Sequence, residues 1–504
     1  MPIVTPEWVK DAVFYQIFPD RFAKSDRLGK NLNLEPWDSP PTRFGFKGGD
    51  LLGVVERLGY LQDLGVTAIY FNPILASAAN HRYHTYDYFN VDPLLGGNAA
   101  LRELIDAAHA RSIRIILDGV FNHASRGFWQ FHHVLENRAA SPYVDWFYFD
   151  PERLSGKQHF GAYPDPAAQE ALRKGVGSYK AIGYQAWWNL PALPKFNTQT
   201  PAVREFLWSV ATHWIDFGID GWRLDVPTEI NDDDFWREFR RRVKSVNPEA
   251  YLVGEIWREA KRWLQGDQFD AVMNYLAATA ILGFFGGDRL DLSETRHPGG
   301  YRNVRPLDAN EFADRIDWIL SLYDPAITQA QLNLLDSHDT PRFITSVGGD
   351  QAALRLALLF LFTYSGAPCI YYGDEIGLHG RHDPECRKTF PWDPSQWDHD
   401  LLAFVKKCIA LRHAHPALRR GAYERLYAND GVYVFGRKLN GDVLVIALNV
   451  TSGTRSVDVL VGALGLSEGV LLDVWSDAPW AIAGGTLHSL ELAPRSGVVL
   501  NQAP

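Results

Sequence analysis

The sequence predicts an α/β chain, a (β/α)8 TIM barrel with an inserted subdomain after strand 3 and a C-terminal antiparallel β-sandwich. Three observations carry that expectation. Eight short apolar runs recur with amphipathic stretches between them. Acids, an arginine and histidines stand just past the C-terminal ends of several runs. After His415 the texture turns β-rich. Strands buried on both faces read as short apolar runs, and strand–helix alternation repeated eight times implies closure into a barrel.

The runs, in order, are AVFYQIF from Ala12, TAIYFNP from Thr67, IRIILDGV from Ile113 and GIDGWRLDV from Gly218. AYLVGEIW from Ala250, FDAVMNY from Phe269, QLNLLDSHD from Gln331 and APCIYYGDE from Ala367 complete the set. Helical patterns such as LLGVVERLGYLQDLG, NAALRELIDAAHARS, PAVREFLWSVATHWIDFG and DDFWREFRRRVKSV lie between them. Gly65 and Gly218 each follow such a pattern and precede a strand, as a terminating glycine should. Asp232–Asp234 crowd a helix start, where acids favour the positive end of its dipole.

Two connections are too long for one helix. The first, after Asp118, holds Tyr143–Phe149, His159–Tyr163 and the aromatic cluster YQAWWNLPALPKFN; it reads as an irregular inserted subdomain B over 124–196. The second, around Gly283–Leu307, is rich in Gly, Arg and Pro and reads as a loop over the same rim. The barrel then comprises 1–123 and 197–418. Residues 419–504 form the sandwich, from segments such as GVYVFGRKL, DVLVIALNV, RSVDVLV, GVLLDVW and SGVVLN, with turns at Asn440-Gly441 and Asn429-Asp430-Gly431.

At 504 residues, two or three domains are expected, and 46% apolar content supports ordinary cores. A formal charge of −10 argues against nucleic acid or an anionic membrane as partner, since both select a basic footprint. No run approaches a membrane span, and no signal peptide is visible at the N-terminus, so the expected location is cytoplasmic. Three cysteines, Cys369, Cys386 and Cys408, form neither a disulfide framework nor a zinc pattern. Aromatic content is high, with 17 Trp, 21 Tyr and 28 Phe; most are expected in the core, although indole and phenol rings also stack on the apolar faces of sugars.

The chemistry is read from GWRLDVPTE, VGEIW, LLDSHDT and IRIILDGVFNH, which contribute Asp225, Glu255, Asp339 and Asp118. Alternate residues of a strand share a face, so Arg223 points with Asp225 and favours its ionised, nucleophilic form. Glu255 lacks an arginine two positions earlier and suits a raised pKa and proton donation. A retaining glycosidase needs such a pair about 5 Å apart, which neighbouring barrel strands supply. Asp339 with His338 suits sugar hydroxyls and an oxocarbenium-like transition state. One aspartate at a strand end is more often a cap or an ion-pair partner, and one histidine more often structural. Four acids, two histidines and an arginine at matching strand ends are not explained that way.

These segments resemble those of the α-amylase superfamily of glycoside hydrolases, from FYQIFPDRF to the C-terminal sandwich. The resemblance implies Asp225 as catalytic nucleophile, Glu255 as general acid/base and Asp339 as transition-state stabiliser. It implies that Arg223, His123 and His338 line the subsite of the attacked sugar, that Asp118 supports it, and that Tyr83 in NHRYHTYDYF is the aromatic platform beneath. GAPCIYYGDEIG matches the family's eighth-strand segment. LPKFN (Leu193–Asn197), Val226 and Glu229 are similar to the neopullulanase, cyclomaltodextrinase and maltogenic amylase group, and Trp257 then belongs to the acceptor side.

Departures from that group are equally specific. Its separate N-terminal domain has no counterpart, so the chain is expected as a monomer or an oligomer not built by that domain. PTE stands where ANE is usual. Calcium in related enzymes is held by a loop that here retains Gly48, Gly49, Asp50 and Asp26. Lys24 replaces an expected ligand, and an ammonium there could take the cation's place. Thr228 and Glu229 offer no histidine for a second site. Catalysis needs no cofactor, and a structural calcium stays open. The expected activity is retaining hydrolysis of α-1,4 bonds in maltooligosaccharides, cyclodextrins or starch-like glucans. The alternatives are a glucanotransferase, a maltose–trehalose-type isomerase, or a dead relative serving as a binding subunit.

Overall fold

The computed structural model describes residues 2–156, 160–296, 301 and 303–502. Eight parallel strands form its centre: β1 (Phe14–Ile17), β2 (Ala68–Phe71), β3 (Arg114–Gly119), β4 (Gly221–Leu224), β5 (Tyr251–Gly254), β6 (Ala271–Val272), β7 (Leu332–Leu334) and β8 (Ala367–Tyr371). Each sequence run supplies one of them. Neighbours pair in the order β6-β5-β4-β3-β2-β1-β8-β7, and a parallel bridge between Met273 and Leu332 joins the two ends. The sheet therefore closes into a barrel, leaving no edge to template association.

Helices wrap the barrel, among them Leu51–Leu64, Gly97–His109, Pro201–Asp216, Asp233–Val246 and His399–Ala414. Asp50 and Asp232 cap two of them by accepting from Gly53 N and Phe235 N. Two other helices are apolar nearly all round. Tyr275–Gly286 and Gln351–Thr363 are covered outside as well as inside, because the helix Ala309–Ser321 and the C-terminal unit pack on them. Phe312 stacks on Phe284 at 4.5 Å and meets Tyr433 edge-on at 5.1 Å, and Phe360 meets Phe435 at 5.6 Å. The buried Arg437 guanidinium donates across the same boundary to the Thr363 carbonyl and, within the C-terminal unit, to that of Gly421.

The C-terminal unit is an eight-stranded antiparallel sheet: β9 (Ala422–Asn429), β10 (Val432–Leu439), β11 (Asp442–Asn449), β12 (Arg455–Leu460), β13 (Gly469–Asp473), β14 (Pro479–Ala483), β15 (Thr486–Leu492) and β16 (Ser496–Gln502). Both anticipated turns are present, with Asp430-Gly431 and Asn440-Gly441 all at positive φ, as tight hairpins require. The sequence reading omitted β9, β14 and β15. Their burial is partial and mixed, so they lack the clean apolar alternation that marks a half-buried strand.

Between Val120 and Thr200 short helices replace barrel strands, including Trp129–Asn137. Isolated bridges such as His123 with Lys195 and Ala186 with Pro194 tie the segment down. The Gly283–Leu307 expectation needs correction. Gly283–Gly286 is the last turn of a buried helix, and Leu292–Thr295 forms another. Gly283 meets the Arg305 carbonyl so closely that a Cβ would lie 2.5 Å from it, and this contact explains glycine in a helix. Residues 297–300 and 302 of that segment, and His159 of the first, lie outside the described residues. No described helix is long and apolar enough to cross a membrane.

Candidate active site

Strand register assembles the site. Asp118 on β3 pairs with Arg223 on β4, and Leu224 pairs with Gly254 on β5. The residues that follow, Asp225 and Glu255, are therefore lateral neighbours at the C-terminal rim, where βα loops converge. His338 and Asp339 follow β7, and Tyr83 comes from the connection after β2.

Arg223 lies fully buried at the centre. Its Nη1 donates to Asp118 at 2.8 and 2.9 Å and to Asp225 Oδ1 at 3.2 Å. Its Nη2 forms an ion pair with Glu255 Oε2 at 3.1 Å. This corrects the sequence reading, in which the guanidinium marked Asp225 alone. Alternation along one strand places Arg223 beside Asp225, but the next strand brings Glu255 equally close. Burial pushes Asp225 well above the usual carboxylate range against the pull of Arg223, and burial also raises Glu255. Asp118 is pushed up to about 6, again chiefly by burial. Several acids around one cation cannot all ionise cheaply, so the cluster shares protons and one acid is ionised while another holds a proton.

Each acid nevertheless has its own surroundings. Asp225 Oδ2 is buried and has no hydrogen-bond partner. Glu255 receives Val226 N–H at Oε2 and Trp257 Nε1–H at Oε1, both at 3.1 Å. Val226 makes its contact from φ +36°, ψ 50°, a left-handed conformation that a β-branched residue rarely adopts. Trp257 lies flat on Tyr275, with centroids 3.5 Å apart, so one indole face is covered and its N–H is aimed at Glu255. Asp118 Oδ2 accepts from Tyr70 and Tyr83 at 3.0 and 2.8 Å.

His338 links the opposite wall. Gln16 Nε2 donates to its Nδ1 at 2.9 Å, which leaves the proton on Nε2, 2.7 Å from the Tyr83 hydroxyl. That hydroxyl also accepts from Asn72 Nδ2. The Tyr83 and His338 rings are parallel within 10°. Burial, helped by Arg387, holds His338 well below its ordinary pKa, so it is neutral. Arg387 donates to the His338 carbonyl at 2.9 Å and to Asp339 Oδ1 at 3.3 Å, leaving Asp339 part-exposed to the cleft. His123 is buried, pushed down to about 3 by that burial, and within reach of the Tyr83 carbonyl at 3.3 Å.

All nine expected site residues thus join one network through shared partners. The sequence reading missed Gln16, Asn72, Tyr70, Tyr275 and Arg387. A polar Gln16 inside the apolar run FYQI was the one visible signal among these.

The loop expected to hold calcium has a different occupant. Gly48, at φ +83°, and Gly49, where a Cβ would meet the Pro19 carbonyl at 2.2 Å, form a tight cradle leading to buried Asp50. Lys30 Nζ sits in it, bonded to the Gly48 carbonyl and to Asp50 Oδ2, the latter at 2.7 Å. Lys24 is exposed and lies over the Trp37 ring, so the ammonium is not the one the sequence suggested. Asp26 is exposed too. Calcium wants six or more oxygens, and a resident ammonium does not fit that demand. Among the described residues no group of three or more His, Cys, Asp or Glu is arranged to hold a metal.

Comparison with known proteins identifies both parts of the chain. Residues 16–421 match the alpha amylase catalytic domain and 421–469 the alpha-amylase C-terminal domain. A cyclomaltodextrinase of Geobacillus thermopakistaniensis is 43% identical over 464 residues, covering 91% of this chain and 72% of that protein. Neopullulanase 2 of Thermoactinomyces vulgaris is 40% identical, covering 98% and 78%. Among solved structures, Ttha1563 of Thermus thermophilus superposes with a TM-score of 0.89 at 47% identity, covering 98% of this chain and 100% of that one. The native debranching enzyme of Nostoc punctiforme gives 0.87 at 46%, covering 100% of both. With its catalytic and C-terminal domains both matched, the chain belongs to the α-amylase family of glycoside hydrolases.

Proposed function

We propose that the chain is a retaining α-glucan hydrolase that cleaves α-1,4 bonds of maltooligosaccharides, cyclodextrins or related glucans. The observation that carries this reading is Asp225 Oδ2, a buried carboxylate oxygen without a partner beside a second acid held by two donors. That oxygen is free to attack an anomeric carbon, whereas Glu255 is oriented to handle a proton.

In the first step Asp225 Oδ2 forms a bond to the anomeric carbon. The glycosidic C–O bond breaks, and its oxygen takes the proton from Glu255. In the second, Glu255 takes a proton from water, the water oxygen bonds to the anomeric carbon, and the Asp225 carboxylate leaves. Two inversions retain the α configuration. Arg223 balances whichever acid is ionised. The part-exposed carboxylate of Asp339 favours the positive charge that develops on the sugar ring. Neutral His338 and His123 act as hydrogen-bond donors and do not add charge. Asp118 orients Tyr83, which in turn fixes His338. The names of the relatives, cyclomaltodextrinase, neopullulanase and debranching enzyme, support α-glucans as the substrate class.

The test is a product profile on cyclodextrin, pullulan, starch and maltotriose, with Asp225→Asn alongside. Hydrolysis to α-anomeric glucose and maltose, lost by several orders of magnitude in the variant, is the expected result. Longer oligomers or trehalose as main products would overturn hydrolysis in favour of transfer or isomerisation, and near-normal turnover by Asp225→Asn would overturn the assignment of the nucleophile.

A further inference from the structure

The segment Ser178–Lys195 carries two tryptophans, stacked outward on His123, that the chemistry above does not use. Trp187 lies flat on His123, with centroids 5.0 Å apart and planes within 7°. Trp188 lies flat on Trp187 at 4.7 Å and 11°. The innermost ring, His123, belongs to the site network through the Tyr83 carbonyl. The outermost, Trp188, is 68% exposed, so its outer face meets solvent.

An exposed indole in a loose loop would be unremarkable, but this loop is firmly built. Trp187 N donates to the Leu193 carbonyl and Leu193 N to the Leu190 carbonyl, each at 2.9 Å. Ser178 N donates to Asn189 Oδ1 at 2.8 Å, and Ala186 N donates to Ser178 Oγ at 2.9 Å. Within this frame Trp188 and Asn189 hold φ values of +51° and +57°. Asn tolerates the left-handed region, but a bulky residue such as Trp188 is strained there. Packing does not compensate, since Trp188 faces water on one side. Strain concentrated on a displayed, rigidly backed aromatic ring is the pattern of a binding surface.

We propose that the outer face of Trp188 is a binding subsite for a glucosyl unit of the α-glucan, beyond the unit held by the catalytic acids. The inference rests on the proposed α-glucan activity and adds a determinant of chain length to it. A pyranose presents an apolar C–H face flanked by hydroxyls, which matches an indole that is apolar on its face and bordered by polar groups. Continuity of the stack with His123 selects a sugar of the same substrate chain as occupant over an unrelated protein. Rings already stacked and a loop already pinned lose little entropy when the sugar arrives.

The experiment compares wild type, Trp188→Ala and Trp188→Phe on maltoheptaose and on p-nitrophenyl α-maltoside, with melting temperature as the control for folding. The ratio of kcat/KM for the long substrate to that for the short one is expected to fall about tenfold in Trp188→Ala, through KM, and to recover largely in Trp188→Phe. An unchanged ratio, or a fall in Trp188→Phe equal to that in Trp188→Ala, overturns the platform. Failure of the wild type to cleave either substrate overturns the hydrolase reading, and the platform with it.

Discussion

Replacing Asp118 by Asn tests the electrostatics of the buried cluster most directly. The Asp118 carboxyl titrates at about 6 in the fold against an ordinary 3.8. The sign follows from proton counting. Between those two values the native state binds more protons than the unfolded chain, so stability present at low pH is lost as pH rises through 6. A shift of roughly 2 units corresponds to about 3 kcal/mol, fully lost near neutrality. The amide of the Asp118→Asn variant has no charge to develop and escapes this loss. Removing the Asp118 charge also relieves Asp225, whose pKa that charge helps to raise, so the second effect has the same sign. For a chain of 504 residues, about 3 kcal/mol corresponds to about 3 °C in melting temperature. Melting is followed by differential scanning fluorimetry of both proteins between about pH 4 and pH 7. The difference, variant minus wild type, is expected to rise by about 3 °C across that range. A constant difference, or one that falls as pH rises, would show Asp118 already ionised at low pH and held so by Arg223, and the burial argument would be refuted.

Two further outcomes follow from the same structure. Val226→Gly removes left-handed strain of about 1–3 kcal/mol while adding about 0.5–1 kcal/mol of unfolded-chain entropy. Its melting temperature should therefore stay level or rise, while kcat falls about tenfold because the amide that holds Glu255 loses its fixed direction. A fall of several degrees with kcat intact would contradict this. Lys30→Met leaves buried Asp50 without its cation and should lower the melting temperature by about 3 °C, from about 3 kcal/mol for a broken buried pair. Chelator should leave the wild-type melting temperature unchanged; a chelator-induced drop of several degrees would show that a divalent ion, and not Lys30, serves that loop.

Much of this arrangement was legible because chain order and spatial order coincide in a parallel barrel. Once eight apolar runs are recognised, the residues past their ends are neighbours by construction, and Asp118, Arg223, Asp225 and Glu255 fall on consecutive strands. What stayed hidden depends on contacts with no local signature. Arg387 reaches Asp339 from 48 residues away, within a connection whose composition does not betray a partner. Tyr275 stood at the end of the run read as the sixth strand, and only its stacking under Trp257 relates it to Glu255. The sharing of Arg223 was invisible for another reason, since alternation describes one strand and the ion pair to Glu255 crosses to the next. Partial burial concealed β9, β14 and β15, whose residues answer to cross-strand pairing more than to a core.

A metal bound in the Gly48–Asp50 cradle would exchange with solution and follow its ion concentration. Lys30 is tethered to the chain that it neutralises, so its effective concentration at Asp50 is set by the intervening loop. Charge compensation there arrives with folding itself. The first βα unit, and the rim it supports, thus keeps its geometry through changes in divalent ion supply, and its sensitivity is transferred to whatever modifies a lysine, such as acetylation or carbamylation.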